Sequence, residues 1–196
     1  MKEMKKMKKL LLILLCIAVV FSFAACGTDE NEMESEITTE EPSDEIPTDD
    51  IDESGEIFTF EAETIDGESF TSEDLKDAKL IMVNLWEPWC GPCVEEMPDL
   101  QKIYMEHKDE GFVILGVYST LNQTEDAKTI IEEKHITYPI LKMNDDFSIF
   151  TTDYVPTTVF LTGEGKVLLK EPVIGGQTYD TWNTAVESFL EELKDD

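Results

Sequence analysis

The chain has 196 residues, 44 Asp and Glu against 15 Lys and Arg, and a formal net charge of −29. A surface of that sign repels a phosphate backbone, so nucleic-acid binding is excluded. The length allows one domain with extensions, and the four cysteines are few enough to account for one by one.

The first nine residues carry five lysines and Glu3, and Leu10 to Phe23 is apolar. That apolar run is too short to span a bilayer comfortably. A basic start, an apolar stretch and then Ala24-Ala25-Cys26-Gly27 together read as a secretory signal. The small residues directly before Cys26 resemble a bacterial lipobox, with Phe23 standing where an aliphatic residue is usual. The expectation is a signal peptide over residues 1–25 and a lipid on Cys26; the alternatives are an ordinary signal peptide and an uncleaved anchor. Through that lipid the mature chain would sit on the extracytoplasmic face of the cell membrane. Cys16 would leave with the signal, so only Cys90 and Cys93 would remain as thiols. An oxidising compartment demands that such a pair be kept reduced by a partner or be used as an oxidant.

Residues 26–56 form the next segment. From Gly27 to Glu56 there is no Lys, no Arg and no aromatic residue, and acids, Ser and Thr dominate. Such a stretch cannot bury enough apolar surface to fold, so it is expected to be a self-repelling, extended tether. Calcium capture by these acids would need a D-x-D-x-D-G loop spacing, which is absent.

Residues 57–196 read as one α/β domain. Phe58 and Phe60 alternate with Thr59 and Glu61, a half-buried strand pattern. Asp66-Gly67 marks a hairpin turn before Ser69-Phe70. Thr71 or Ser72 can cap a short helix to Leu75, with Glu73 and Asp74 in its first turn. Leu80 to Leu85 is apolar except for Asn84, as in a central strand covered on both faces. A helix is predicted from about Gly91 to His107, kinked at Pro98. Phe112 to Tyr118 is the next buried strand, followed by a helix capped by Thr124 and running to about His135. Tyr138 to Lys142 reads as a short strand. Thr157–Leu161 and Val167–Leu169 read as two strands around the Gly163-Glu164-Gly165 turn. Thr178 to Leu193 closes the chain as an amphipathic helix with Trp182, Val186, Phe189, Leu190 and Leu193 as its apolar stripe. Alternating strands and helices imply an α/β layer fold with no repeat and no second domain.

The chemistry lies in Trp86-Glu87-Pro88-Trp89-Cys90-Gly91-Pro92-Cys93, between the first buried strand and the first long helix. Cysteines at i and i+3 of a helix start share one face, so their sulfurs can bond. Pro92 is tolerated in that first turn. The helix dipole favours ionisation of the first thiol. Cys90 is therefore the nucleophile and Cys93 the shielded, resolving thiol. A zinc half-site would need a second ligand pair, and His107 and His135 have no paired spacing. Haem attachment would need His after Cys93, where Val94 stands. Neither a metal nor an organic cofactor is implied. Trp86 reads equally as core and as part of the site, whereas Trp89, beside Cys90, reads as a surface aromatic that docks a partner.

Four features carry a resemblance to a known family. They are Val83-Asn84-Leu85-Trp86 leading into W-x-x-W-C-G-P-C, Glu95-Glu96-Met97-Pro98 after it, Val155-Pro156-Thr157-Thr158, and the lipoprotein-type start. Together they resemble the thioredoxin-like superfamily, and within it the TlpA/ResA-like extracytoplasmic thiol–disulfide oxidoreductases. The resemblance covers roughly Ile57 to Leu193. It implies a thioredoxin-like fold, a central mixed β-sheet flanked by helices with an N-terminal β-hairpin extension, and a redox disulfide between Cys90 and Cys93. It implies that Pro156 is cis and packs against the dithiol, with Val155 offering backbone groups to a substrate strand. It implies that Glu96 sits near the dithiol and tunes it; the residue pattern alone also allows a solvated helix acid. Thioredoxin carries a buried acid where this chain has Asn84. An amide takes up no proton, so that duty would fall to Glu96, Glu87 or water. Glu87, within the motif, would disfavour a thiolate at Cys90.

The activity implied is reduction of disulfides in exported proteins, such as apocytochrome c or surface thiol enzymes. An integral-membrane thiol carrier of the CcdA type would restore the dithiol. The rivals are a disulfide-forming oxidase, a peroxiredoxin-like thiol peroxidase, which would need T-x-x-C, and a non-catalytic binding lipoprotein.

Overall fold

A computed structural model describes Ile46 and residues 57–194 of the chain. The expected signal peptide, the lipid-bearing Cys26 and, apart from Ile46, the tether lie outside the described residues.

A hairpin comes first: β1 (Glu61–Glu63) pairs antiparallel with β2 (Ser69–Thr71), with Ala62 opposite Phe70. Gly67 turns it at φ +88°, in the left-handed region that glycine adopts without a Cβ penalty. A bridge from Thr64 to Leu141 ties the hairpin to the main sheet. That sheet has the order β5-β4-β3-β6-β7, with β3 (Leu80–Trp86) at its centre. β4 (Phe112–Tyr118) lies parallel to β3, with Leu80 opposite Phe112, and β5 (Ile140–Lys142) lies parallel to β4. β6 (Thr157–Thr162) runs antiparallel on the other side of β3, with Leu85 opposite Thr157. β7 (Val173–Ile174) closes that edge. The helices are α1 (Gly91–His107), α2 (Thr124–Glu133) and α3 (Tyr179–Glu192).

The two-residue period of β3 divides the core. Leu80, Met82 and Trp86 pack into the cluster that holds Met97, Leu100 and Ile103 of α1 and Trp182, Val186 and Phe189 of α3. Ile81, Val83 and Leu85 face a second cluster built on Phe58, Phe60, Phe147 and Phe150. In that cluster Phe60 and Phe147 have ring centroids 4.9 Å apart, and Phe58 and Phe150 4.7 Å apart. Asn84 thus shares its face with the α1 side of the sheet, where the dithiol lies.

Four predicted elements differ in detail. The first strand begins at Glu61, not Phe58. Phe58 and Phe60 do alternate inward, but the Phe58 N–H donates to the Gly165 carbonyl, in the single Ile57–Lys166 bridge, and the Phe60 N–H to Ser72 Oγ, so neither joins the β1–β2 ladder. The strand expected at 138–142 starts at Ile140, after Pro139, which has no N–H to give. Thr124 is the first residue of α2 and not its cap; its hydroxyl donates to the Leu121 carbonyl. The strand expected over Val167–Leu169 reduces to one bridge, Val167 to Leu161. Leu168 and Leu169 both bury in the α1-side cluster, which successive residues of a strand cannot do. The edge strand is β7 instead. α1 runs on through Pro98, which leaves the Val94 carbonyl without its helical donor.

Candidate active site

Trp86 ends β3, and the chain turns through Glu87-Pro88-Trp89 into α1, with the Cys90 N–H donating to the Glu87 carbonyl at 3.0 Å. Cys90 occupies the N-cap in extended backbone, Pro92 lies in the first turn, and Cys93 is one turn inside. Their sulfurs are bonded at 2.05 Å, so the structure holds the oxidised form. The Cys93 N–H donates to Cys90 Sγ at 3.3 Å. When the pair is reduced, that donor and the helix N-terminus both favour Cys90 as the thiolate. The order of exposure is Cys90 5% and Cys93 1%. Cys90 is therefore not an open surface thiol in this form.

The loop before β6 closes the other side. The Val155–Pro156 peptide is cis, and the Val155 carbonyl oxygen stands 3.6 Å from Cys90 Sγ. The meeting spans 65 residues of sequence, and β3–β6 pairing produces it. The Pro156 carbonyl accepts from the Gly175 N–H at 2.9 Å, which fastens this loop to the segment after β7.

Glu96 shares a helix face with Cys93 and is 4% exposed. Its carboxylate accepts from Asn84 Nδ2 at 3.1 Å, Trp182 Nε1 at 3.1 Å and the Gln177 N–H at 3.1 Å. Asn84 donates a second bond to Thr158 Oγ1 at 3.0 Å, its cross-strand neighbour. Burial pushes the Glu96 carboxyl above its ordinary range, against the pull of these donors. A solvated helix acid is thereby excluded for Glu96, while Glu95 is exposed. Trp182, Gln177 and Thr158 belong to this network, and the sequence signalled none of them as more than core, loop and strand.

Glu87 is buried as well. It is 5% exposed, and its carboxylate accepts from the Ser119 N–H at 2.9 Å, the Thr120 N–H at 3.0 Å and the Ser119 hydroxyl. Its side chain is committed to the loop after β4. Trp86 is buried against Tyr118, with ring centroids 6.0 Å apart, and belongs to the core. Trp89 is 64% exposed, and its indole N–H donates to Thr120 Oγ1 at 3.2 Å. Among the described residues no cluster of His, Cys, Asp and Glu is placed to hold a metal ion.

A mixed sheet whose central strand delivers a C-x-x-C disulfide to a helix N-terminus, opposite a cis-proline, defines a thioredoxin-like thiol–disulfide oxidoreductase. The chain belongs to the AhpC/TSA family, whose profile matches residues 55–169. It is 28% identical over 188 residues to the thiol-disulfide oxidoreductase ResA of Oceanobacillus iheyensis, covering 93% of this chain and 85% of that protein. It is also 28% identical over 122 residues to the thioredoxin-like protein YneN of Bacillus subtilis, covering 60% of this chain and 69% of that one. Among solved structures, the thioredoxin domain of a Bacteroides vulgatus thiol-disulfide oxidoreductase superposes with a TM-score of 0.58 at 27% identity, over 69% of this chain and 96% of that one. The enzyme is thus a thiol–disulfide oxidoreductase of the ResA type.

Proposed function

We propose that this enzyme reduces disulfides of exported proteins from the extracytoplasmic face of the membrane. The observation that carries the reading is the Cys90–Cys93 disulfide at the start of α1, with the Val155 carbonyl 3.6 Å from Cys90 Sγ. A substrate strand laid along Val155 would bring its disulfide to Cys90 by backbone pairing. The Cys90 thiolate attacks one substrate sulfur, and the other leaves as a thiolate and takes a proton. The Cys93 thiolate then attacks Cys90 Sγ, breaks the mixed disulfide and frees the second substrate thiol. Two electrons pass to the substrate, and the protein is left in the oxidised form that the structure holds. A membrane thiol carrier of the CcdA type would return those electrons. Apocytochrome c and surface thiol enzymes are substrates of suitable chemistry. In this reading residues 1–25 are a signal peptide, Cys26 carries the lipid, residues 26–56 are the tether and residues 57–196 the catalytic domain.

The oxidase rival uses the same residues in reverse, and the dithiol's potential separates the two. Equilibration against glutathione is expected to give a value near that of thioredoxin, about −270 mV; a value near about −120 mV would reverse the direction. The peroxidase rival lacks its T-x-x-C setting, since the position three before Cys90 is Glu87, held by Ser119 and Thr120. The anchor is tested separately. Labelled fatty acid should enter the wild-type chain in a bacterial host and not Cys26→Ala. A mature protein with a free N-terminus upstream of Cys26 would remove the tether from the reading.

A further inference from the structure

We propose that Glu87 is a positioning residue that fixes Trp89 as an anchor for protein substrates. The proposal rests on the reading of this enzyme as a reductase of protein disulfides. Trp89 is the one exposed tryptophan of the three, Trp86 and Trp182 being 1% and 0% exposed. A free indole beside Cys90 would sample several rotamers, and a partner would have to order it on binding. The indole N–H bond to Thr120 Oγ1 restrains it, but an exposed neutral hydrogen bond is weak against water. Its hold depends on where Thr120 is. Glu87 decides that: its buried carboxylate takes the backbone N–H groups of both Ser119 and Thr120, plus the Ser119 hydroxyl. Backbone and hydroxyl donors from two successive residues converge on that one carboxyl group. The carboxylate thus ties the loop after β4 to the motif turn, and the loop holds the indole.

The same loop continues into Leu121, half exposed, and Tyr154 stands exposed beside Val155 in the chain. Exposed apolar groups thus stand on three segments next to the site: Trp89 on the motif turn, Leu121 on the loop after β4 and Tyr154 next to Val155 in the chain. Large, little-flexible aromatic side chains give contact area at low entropic cost. A protein disulfide brings flanking chain that reaches these groups, and a small disulfide does not. Glu87 accordingly acts on selection between the two substrates.

The test compares reduction of a protein disulfide, insulin, with that of a small one, hydroxyethyl disulfide. In Glu87→Ala the insulin-to-small ratio of kcat/KM is expected to fall roughly tenfold, chiefly through KM, the size of one lost anchor of about 1.4 kcal/mol. In a Trp89→Ala background the same change should have little further effect on that ratio. Nitrogen-15 relaxation of the Trp89 indole should show faster motion in Glu87→Ala, with partial recovery in Glu87→Gln, which keeps one acceptor oxygen. Should Glu87→Ala fail to fold, Glu87→Gln and Thr120→Val serve in its place, each loosening the indole by a different bond. An unchanged ratio, an effect that persists in full without Trp89, or an indole no more mobile than in the wild type would overturn the proposal. An equal slowing of both substrates with a shifted pH profile of Cys90 alkylation would also overturn it, because that is an electrostatic effect on the thiol. If the wild type reduces no protein disulfide, the reading of function fails. The indole measurement then still decides whether Glu87 holds Trp89.

Discussion

Cys90→Ser is expected to bring disulfide reduction to the uncatalysed level, whereas Cys93→Ser should accumulate a mixed disulfide with substrate. The two losses differ because the two sulfurs differ. Cys90 Sγ receives the Cys93 N–H at the helix N-terminus and faces the Val155 carbonyl, on the route a substrate strand would take. Cys93 lies one turn inside, fully buried, where only an intramolecular attack can reach it. Without Cys93 the first exchange still proceeds, and nothing releases the product. Alkylation of the reduced protein near neutral pH, followed by peptide mapping, should label Cys90 first, since the thiolate is the reactive form. Faster labelling of Cys93 would exchange the roles. Non-reducing electrophoresis would show the trapped complex as a band removed by dithiothreitol.

Glu96→Ala is expected to lower stability by roughly 3 kcal/mol and to slow the reaction with protein disulfides. The substitution strands the buried Trp182 and Asn84 N–H groups and the half-buried Gln177 N–H, and a buried donor left without an acceptor costs about 1–3 kcal/mol. Recovery of the carboxylate's own desolvation offsets part of that loss. The slower reaction follows from the loop. Gln177 and Gly175 lie on the segment that also holds the Pro156 carbonyl, so releasing one end loosens the other. Urea unfolding measures the stability, and insulin reduction the rate. A pH series adds a sign. Burial raises the Glu96 carboxyl, so the folded state binds its proton more tightly than the unfolded state. The stability of wild type relative to Glu96→Ala should therefore be greatest below the ordinary carboxylate range and decline as pH rises through the raised value. A difference that grows with pH would show a carboxylate held ionised in the fold.

Much of the fold was legible because local pattern and tertiary role agreed. The apolar run Leu80–Leu85 became the central strand, and the stripe Trp182, Val186, Phe189 of α3 became its cover. The boundaries that moved did so where backbone bonds went elsewhere. Phe58 and Phe60 alternate as a strand does, but their N–H groups go to Gly165 and Ser72. Leu168 and Leu169 look like a strand and are instead two neighbours buried on one side.

The sequence by itself determined where the dithiol sits: cysteines three apart at a helix start, with Pro92 in the first turn, share one face. It did not determine the parts of the acids around it. Glu87, Glu95 and Glu96 are the same residue type within ten positions of each other, and nothing local separates them. Glu87 found two backbone donors in the loop after the neighbouring strand β4, Glu96 found an indole from a helix 86 residues away, and Glu95 stays exposed. Burying a carboxylate is tolerable only where donors already wait for it. Where those donors stand depends on strand order and helix packing, which is why only the tertiary structure could assign each acid its part.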